Sequence, residues 1–373
     1  MFLALKEMRR AKVRFGLLMV AVALLVFLIL FQQSLQNGLL TGFVGGIRNQ
    51  SAPVLVFSVD GRRNVQGSII TPDAEALIAS ASGIGDSGRI GQGTFTVLAN
   101  GVFSDAAIIG YEKEGLGSPT TLIEGRLPQK AGEAVASDVD GPDGFALGDT
   151  VTLDPGGYRI TVVGVAEDIQ LLVTPTLFTT YDTYLAAVKA RNPDGGAPLP
   201  NLIALRPAAG VSDATLVDNV NALSPDVDAL TRSDAANKTP GVAQVRQSFL
   251  VIFLLYGLVV PFVTGLFFLI ITFQKAGALT LLRAIGAPAR KLIGALFVQV
   301  LAVVGIGYLL GLALYYPISQ MKLGGIHLRF QTGAVVFWAV VLVVFAIASA
   351  WFSVKRVLRI EPVQATTGVG VVR

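Results

Sequence analysis

The chain has 373 residues, of which 53% are hydrophobic and only 14% charged, against about half and about a quarter in an average soluble protein; the deficit is in charge, which argues against a wholly soluble enzyme. With no cysteine and one histidine, His327, thiolate catalysis, disulfides, iron–sulfur clusters and His/Cys zinc sites are excluded, leaving oxygen-ligand metals. The formal net charge of +4 hides a strong asymmetry along the chain.

Residues 15–31 form an unbroken apolar run behind Lys6, Arg9, Arg10, Lys12 and Arg14. It exceeds the ~7–15-residue apolar core of a secretory signal and has no small-residue cleavage site after it, so it predicts an uncleaved first membrane helix over 15–35. Residues 249–273, 292–316 and 334–354 predict three more: each lacks Lys, Arg, Asp and Glu and reaches the ~20 residues that cross a ~30 Å hydrocarbon core. Gly307 and Gly311, four apart in the third, suit close helix packing. Pro261, between Gly257 and Gly265, is a candidate kink in the second. Tyr315 and Tyr316, at the end of the third, read as an interfacial aromatic belt.

Lys and Arg are retained on the cytoplasmic side. Segments 1–15, 274–291 and 355–373 carry thirteen Lys/Arg against two acids, whereas 32–248 carries fourteen against twenty-three. Both termini (1–14 and 355–373) and the 274–291 loop are therefore expected inside, with 36–248 and the 317–333 loop outside. The basic residues hug span ends, so nucleic acid is not an expected partner; the lipid bilayer is. The expected localisation is a cell membrane, crossed several times.

Segment 36–248 alternates short β-rich runs with turn signals. Val54-Leu55-Val56-Phe57-Ser58-Val59 stops at Asp60-Gly61, residues 94–98 stop at Asn100-Gly101, and 159–165 follow Asp154-Pro155-Gly156-Gly157, as strands bounded by turns do. Thr71-Pro72 and Ser212-Asp213 read as helix N-caps, and residues 191–200 as a loop. The fold class is thus an α-helical membrane protein, with four transmembrane helices in a 1+3 arrangement and an α+β extracytoplasmic domain between helices 1 and 2. No catalytic constellation is present: the domain has no histidine and no Gly-x-Ser-x-Gly. Asp138, Asp140, Asp143 and Asp149 do not match a calcium-loop spacing and are expected to be solvated turn residues, as is His327. No phosphate-binding loop exists either, since the only Lys followed by Ser or Thr is Lys238.

The plan and its motifs resemble the FtsX/MacB-type permeases of ABC transporters, with further similarity of residues 15–51 to a DevC-like and HrtB-like subgroup. The resemblance is carried by the basic residues 4–14; by Glu124-Gly125-Arg126-Leu127-Pro128, Gly132-Glu133, Leu147-Gly148-Asp149-Thr150-Val151 and Val162-Val163-Gly164-Val165; and by residues 281–287 with Arg359-Ile360-Glu361-Pro362. It implies a permease without enzymatic activity, coupled to a separate cytoplasmic ATPase in two copies that binds the ATP and magnesium; the chain itself binds no cofactor and no metal. It implies a homodimer, an extracytoplasmic adaptor or hydrolase as a further partner, and extrusion of an amphipathic substrate by mechanotransmission; the alternative is a non-transporting regulator of a cell-wall hydrolase. Leu279, Leu282, Arg283, Ile285, Gly286 and Ala287 would contact the ATPase, and Phe27, Phe31 and Gln32 the substrate or dimer interface.

Overall fold

The computed structural model describes residues 8–284, 289–323 and 325–358, which form two compact units. The first gathers the described residues of Met1–Gln36, Ser248–Lys322 and Leu328–Arg373, and the second those of Asn37–Gln247 and Leu323–His327.

Four long helices dominate: α1 (Lys12–Arg48), α6 (Val242–Ala284), α7 (Ala289–Ile318) and α8 (Thr332–Leu358); α2 to α5 are the short helices of the second unit. Three described helical segments, Lys12–Arg48, Val242–Val259 and Phe297–Ile318, are long and apolar enough to cross a membrane, and Thr332–Ala348 is a shorter apolar one. At 1.5 Å per residue the 37 residues of α1 reach ~55 Å, well past a ~30 Å hydrocarbon layer. The surplus, from Gln32, Gln33 and Gln36 on to Arg48, forms the stalk end of α1. Helix α6 runs unbroken through Pro261.

In the first unit, α1, α6, α7 and α8 share a core of Val22, Val26, Ile29, Val300, Val304 and Trp338, with Phe253 packed against it. Val13, Leu17, Val20, Leu24 and Leu28 of α1 remain exposed. Their spacing of three and four places them on one helical stripe, and apolar stripes of this length suit lipid rather than water.

The second unit is built on a ten-stranded sheet: β1 (Val54–Ser58), β2 (Ile84–Ala99), β3 (Val102–Tyr111), β4 (Leu122–Gly125), β5 (Glu133–Ser137), β6 (Thr150–Leu153), β7 (Arg159–Ala166), β8 (Thr176–Thr180), β9 (Leu202–Pro207) and β10 (Val227–Thr231). The order is β10-β1-β9-β2-β3-β8-β5-β7-β4, and β6 pairs with both β2 and β7. Those two pairings close β2-β3-β8-β5-β7-β6 into a ring. Phe95, Val97, Ile108, Val151, Ile160, Val162 and Leu177 form a core cluster from its strands, as alternation along each strand requires.

The sixteen-residue β2 is far longer than the expected 94–98 because it serves both lobes. Its first half pairs with β9 and its second with β3. Asn100 (φ 49°) and Gly101 (φ 78°) supply the two left-handed residues that a tight β2–β3 hairpin turn needs.

On the β9 side, α2 (Pro72–Ala79) and α4 (Asp213–Asn221) cover β1, β9 and β10 through Ile78, Leu216 and Val220. Both helices start as their sequences dictate: Thr71 accepts from the Ala74 N–H and Ser212 from that of Thr215. Helix α3 (Tyr181–Arg191) lies over Gly91 and Gly110, where any side chain would collide with Tyr184; one at Gly93 would meet Phe95. Residues 192–200 follow it as a loop, and α5 (Arg232–Lys238) leads into α6.

Candidate functional site: the helix seam and the motif body

In the first unit, Gly307 and Gly311 of α7 face α1. A Cβ at Gly307 would lie 2.7 Å from the Val22 Cβ and 3.0 Å from the Met19 carbonyl oxygen; one at Gly311 would lie 2.6 Å from the Ala23 oxygen and 2.7 Å from the Val26 Cβ. Two α1 valines thus sit in a groove that exists because α7 lacks side chains there, the contact mode by which small residues let membrane helices approach.

Polar anchors tie α1 and α7 to α8 and the segment before it. Ser34 Oγ and Tyr315 Oη both donate to the Arg329 carbonyl, at 2.9 and 3.2 Å, and Tyr308 Oη donates to Val335 O at 2.6 Å. The belt reading of Tyr315 is corrected here: it is 1% exposed. Tyr308 and Tyr315 are seven apart, two helical turns, so both hydroxyls turn to α8 and the segment before it, while Tyr316 points outward.

Phe27 and Phe31 stack, ring centroids 5.9 Å apart, on the half-buried side of α1, and Gln32 follows half-buried. The structure brings these three together on one helix, apart from the glycine groove. Leu279, Leu282 and Arg283 lie in the last turns of α6. Ile285, Gly286 and Ala287, residues 1–7 and residues 359–373 lie outside the described residues.

In the second unit, the family-like motifs converge on β7. Gly125 pairs with Gly164, Glu124 with Val165, Thr150 and Glu133 with Thr161. Gly125 has φ 72° and no room for a Cβ against the Val163 carbonyl; Gly164 is equally close to the Arg126 carbonyl. Arg126 forks onto Glu133 (Nη1–Oε2 2.7 Å, Nη2–Oε1 2.6 Å), and Glu133 also accepts from the Gln129 and Lys130 N–H groups. The Arg126 fork, helped by those N–H groups, draws the Glu133 carboxyl down to about 2. These motifs are a turn-closing body, and the chemistry they perform is structural.

Of the four aspartates, Asp143 is exposed in a short turn, as expected, whereas Asp140 departs from that reading. Asp140 is fully buried: it accepts from Gln170 Nε2 and from the Thr176 N–H. Asp138 accepts from the Asp168 N–H and Asp149 from that of Ala146. A buried carboxylate must be met by donors, and the 168–176 segment, distant in sequence, brings them. His327 is half-buried rather than solvated, and a Cβ on Gly38 would overlap its carbonyl. Among the described residues no group of three or more His, Cys, Asp or Glu could hold a metal ion. Lys238 pairs with Asp234 at the end of α5.

Long apolar helices packed through glycine grooves, joined to an α+β domain whose motifs are structural, define a multi-pass membrane protein. No protein-family model matches the chain. Over 379 residues, 99% of this chain and 100% of the relative, it is 21% identical to the hemin transport system permease protein HrtB of Staphylococcus haemolyticus. Over 372 residues, 99% of each, it is 22% identical to an uncharacterized ABC transporter permease of Mycobacterium tuberculosis. Among solved structures, the periplasmic region of MacB from Actinobacillus actinomycetemcomitans is similar over 50% of this chain and 92% of its own, with 20% identity and a TM-score of 0.36. The extracellular domain of the noncanonic ABC-type transporter YknZ from Gram-positive bacteria is similar over 48% and 99%, with 12% identity and a TM-score of 0.34. The resemblance to ABC transporter permeases therefore extends over essentially the whole sequence.

Proposed function

We propose that the chain is the permease subunit of an ABC transporter that extrudes an amphipathic or hydrophobic substrate, driven by a separate cytoplasmic ATPase that binds the ATP and magnesium. The observation that carries the reading is the end-to-end similarity to permeases, joined to apolar helices of membrane-crossing length. Four spans, with both termini inside and the α+β domain outside, follow from the charge partition. The chain works as a homodimer with two ATPase copies; Phe27, Phe31 and Gln32 line the substrate path, and Gly307 and Gly311 hold α7 against α1. Hemin, named for the staphylococcal relative, is the first substrate to assay.

Residues 278–287 are the coupling segment, with Leu279, Leu282, Arg283, Ile285, Gly286 and Ala287 received by a groove of the ATPase. Ile285→Asp puts an unpaired charge into that contact, where charging an anchor costs a few kcal/mol. Association of the ATPase, measured by co-purification, should fall at least about tenfold, while membrane insertion survives. Gln364→Asp, in the tail, should change neither. Full association of the Ile285→Asp variant would reduce this segment to an ordinary basic loop. For topology, single cysteines at Ser82 and Thr367 should label oppositely with an impermeant thiol reagent in intact cells; equal labelling would overturn the four-span arrangement.

A further inference from the structure

The last turns of α1 are held by a loop in an unusual way. An interior helical N–H ordinarily donates to the carbonyl four residues back, yet the Gly46 N–H donates outward to the Gln170 carbonyl at 2.7 Å. The carbonyls of Gly42 and Phe43 accept from the Val173 and Leu172 N–H groups at 2.7 and 3.0 Å, and Asn49 Nδ2 donates to the Asp168 carbonyl at 2.8 Å. Val44 and Leu171 are antiparallel bridge partners, as two strands would be. The approach is possible because Gly42 and Gly45 have no side chain: a Cβ on Gly45 would overlap the Asp168 carbonyl, and one on Gly42 would lie 3.2 Å from Gln170 Oε1.

The loop is held in turn from behind. Asp168, Leu172 and Val173 have φ of 54°, 55° and 57°, a left-handed conformation that a β-branched residue adopts only where its surroundings enforce it. The enforcing contacts are the buried bonds from Gln170 Nε2 and the Thr176 N–H to Asp140, with Thr176 Oγ1 accepting from the Leu171 N–H. Around this contact Leu40, Val44 and Ile47 share one core with Leu55, Ile109, Val135 and Phe178 of the sheet. The stalk end is therefore fastened by backbone hydrogen bonds, polar side chains and apolar burial at once.

We propose that residues 168–174 form a rigid joint between the stalk end of α1 and the α+β domain, with Gln170 and Asp140 as its positioning residues, so that movement of α1 reaches the domain without slip. This rests on the reading of the chain as a mechanotransmitting permease. Directional bonds to successive loop groups fit one register, and the left-handed residues keep that conformation for as long as the bonds of Asp140, Gln170 and Thr176 enforce it.

The test uses the full chain in lipid nanodiscs with its cognate ATPase. A peptide tag inserted after Gly196, exposed in the loop between α3 and β9 with open space around it, binds donor- and acceptor-labelled nanobodies. Energy transfer between the two copies then reports movement of the domains when ATP and vanadate are added. Gln170→Ala should speed hydrogen exchange at Gly46, Leu172 and Val173 by about tenfold or more through local opening, leave β1 and β10 unchanged, and at least halve the energy-transfer change while ATP hydrolysis continues.

A second variant does not depend on loosening the core. Bridge partners such as Val44 and Leu171 have Cα atoms ~4.5–5.5 Å apart, within reach of a disulfide, and the chain has no cysteine of its own. Oxidised Val44→Cys/Leu171→Cys should keep the full energy-transfer change, because a joint that never opens loses nothing when locked. Abolition of the change by oxidation would make the contact a working hinge and overturn the proposal. So would a Gln170→Ala variant that exchanges faster yet transmits the full change, or one whose exchange is unaltered. If the unsubstituted protein shows no nucleotide-dependent change while its exchange pattern matches the joint, the mechanotransmission reading fails, and the joint is a static fastening only.

Discussion

At residues 19–26, α1 supplies the side chains and α7 the glycines: Val22 and Val26 enter the groove at Gly307 and Gly311. At residues 42–46 the roles reverse, and α1 supplies the glycines while a loop presses its carbonyls and N–H groups onto the helix backbone. The first contact is van der Waals packing, in which each atom pair contributes little and neighbouring registers resemble one another. The second is a set of directional bonds that fit one register only. Of two glycine-rich stretches that look alike in composition, one lets helices lie close and the other fixes a helix in place.

The largest expected effect breaks the second contact. Gly45→Val would force the Asp168 carbonyl, which is backbone and held at both ends, to move; a loss of about 3 kcal/mol or more follows, seen as a failure to express folded chain or a large fall in Tm. Gly311→Leu overpacks a seam in which the Ala23 carbonyl lies as near as the Val26 side chain, but two helices held by packing can move apart slightly to admit it, so about 1–3 kcal/mol is expected. Adding Val26→Ala should recover part of that loss, whereas no single side-chain truncation in the 168–174 loop should rescue Gly45→Val. If Gly45→Val proves milder than Gly311→Leu, the distinction between the two contacts collapses.

Two smaller effects sharpen the comparison by testing polar bonds remote from both glycine contacts. Thr71→Ala removes the N-cap of α2 and should cost about 1 kcal/mol, measured by thermal unfolding of the full chain in detergent. Arg126→Ala opens the fork on Glu133 at the surface and should lower Tm by only a few degrees at neutral pH. Its pH dependence has a definite sign. The Glu133 carboxyl is drawn from 4.5 to about 2 in the folded chain, so the pair's contribution is complete above about 4.5 and fades as pH falls towards 2. The Tm difference between Arg126→Ala and the unsubstituted chain should therefore shrink over that range and stay constant between pH 6 and 8.

Much of the architecture was legible because it depends on short-range patterns. Uncharged apolar runs mark long apolar helices, Thr71-Pro72 and Ser212-Asp213 start helices by local hydrogen bonds, and Asn100-Gly101 forms a turn because only certain residues tolerate positive φ. Gly307 and Gly311 were readable as a packing pair from their spacing alone, though not the identity of the valines that fill the groove. Tyr315 was misread for a related reason: its place near a span end is a sequence property, while its burial depends on which neighbour its helical face meets.

The 168–174 loop carried no such signal. Its residues, Asp-Ile-Gln-Leu-Leu-Val-Thr, read as an unremarkable stretch after a strand, and Asp140 reads as one acid in a run of them. What joins Asp140, Gln170 and Gly46 is a sheet that brings positions 30 and 124 residues apart together. By itself, then, the amino-acid order determined the apolar helices, the charge asymmetry, the caps and the turns, all set by neighbours within a few residues. Only the tertiary structure decided which glycines are grooves and which are fastenings, because that depends on whether the segment arriving from a distant part of the chain only packs against the helix or also hydrogen-bonds its backbone.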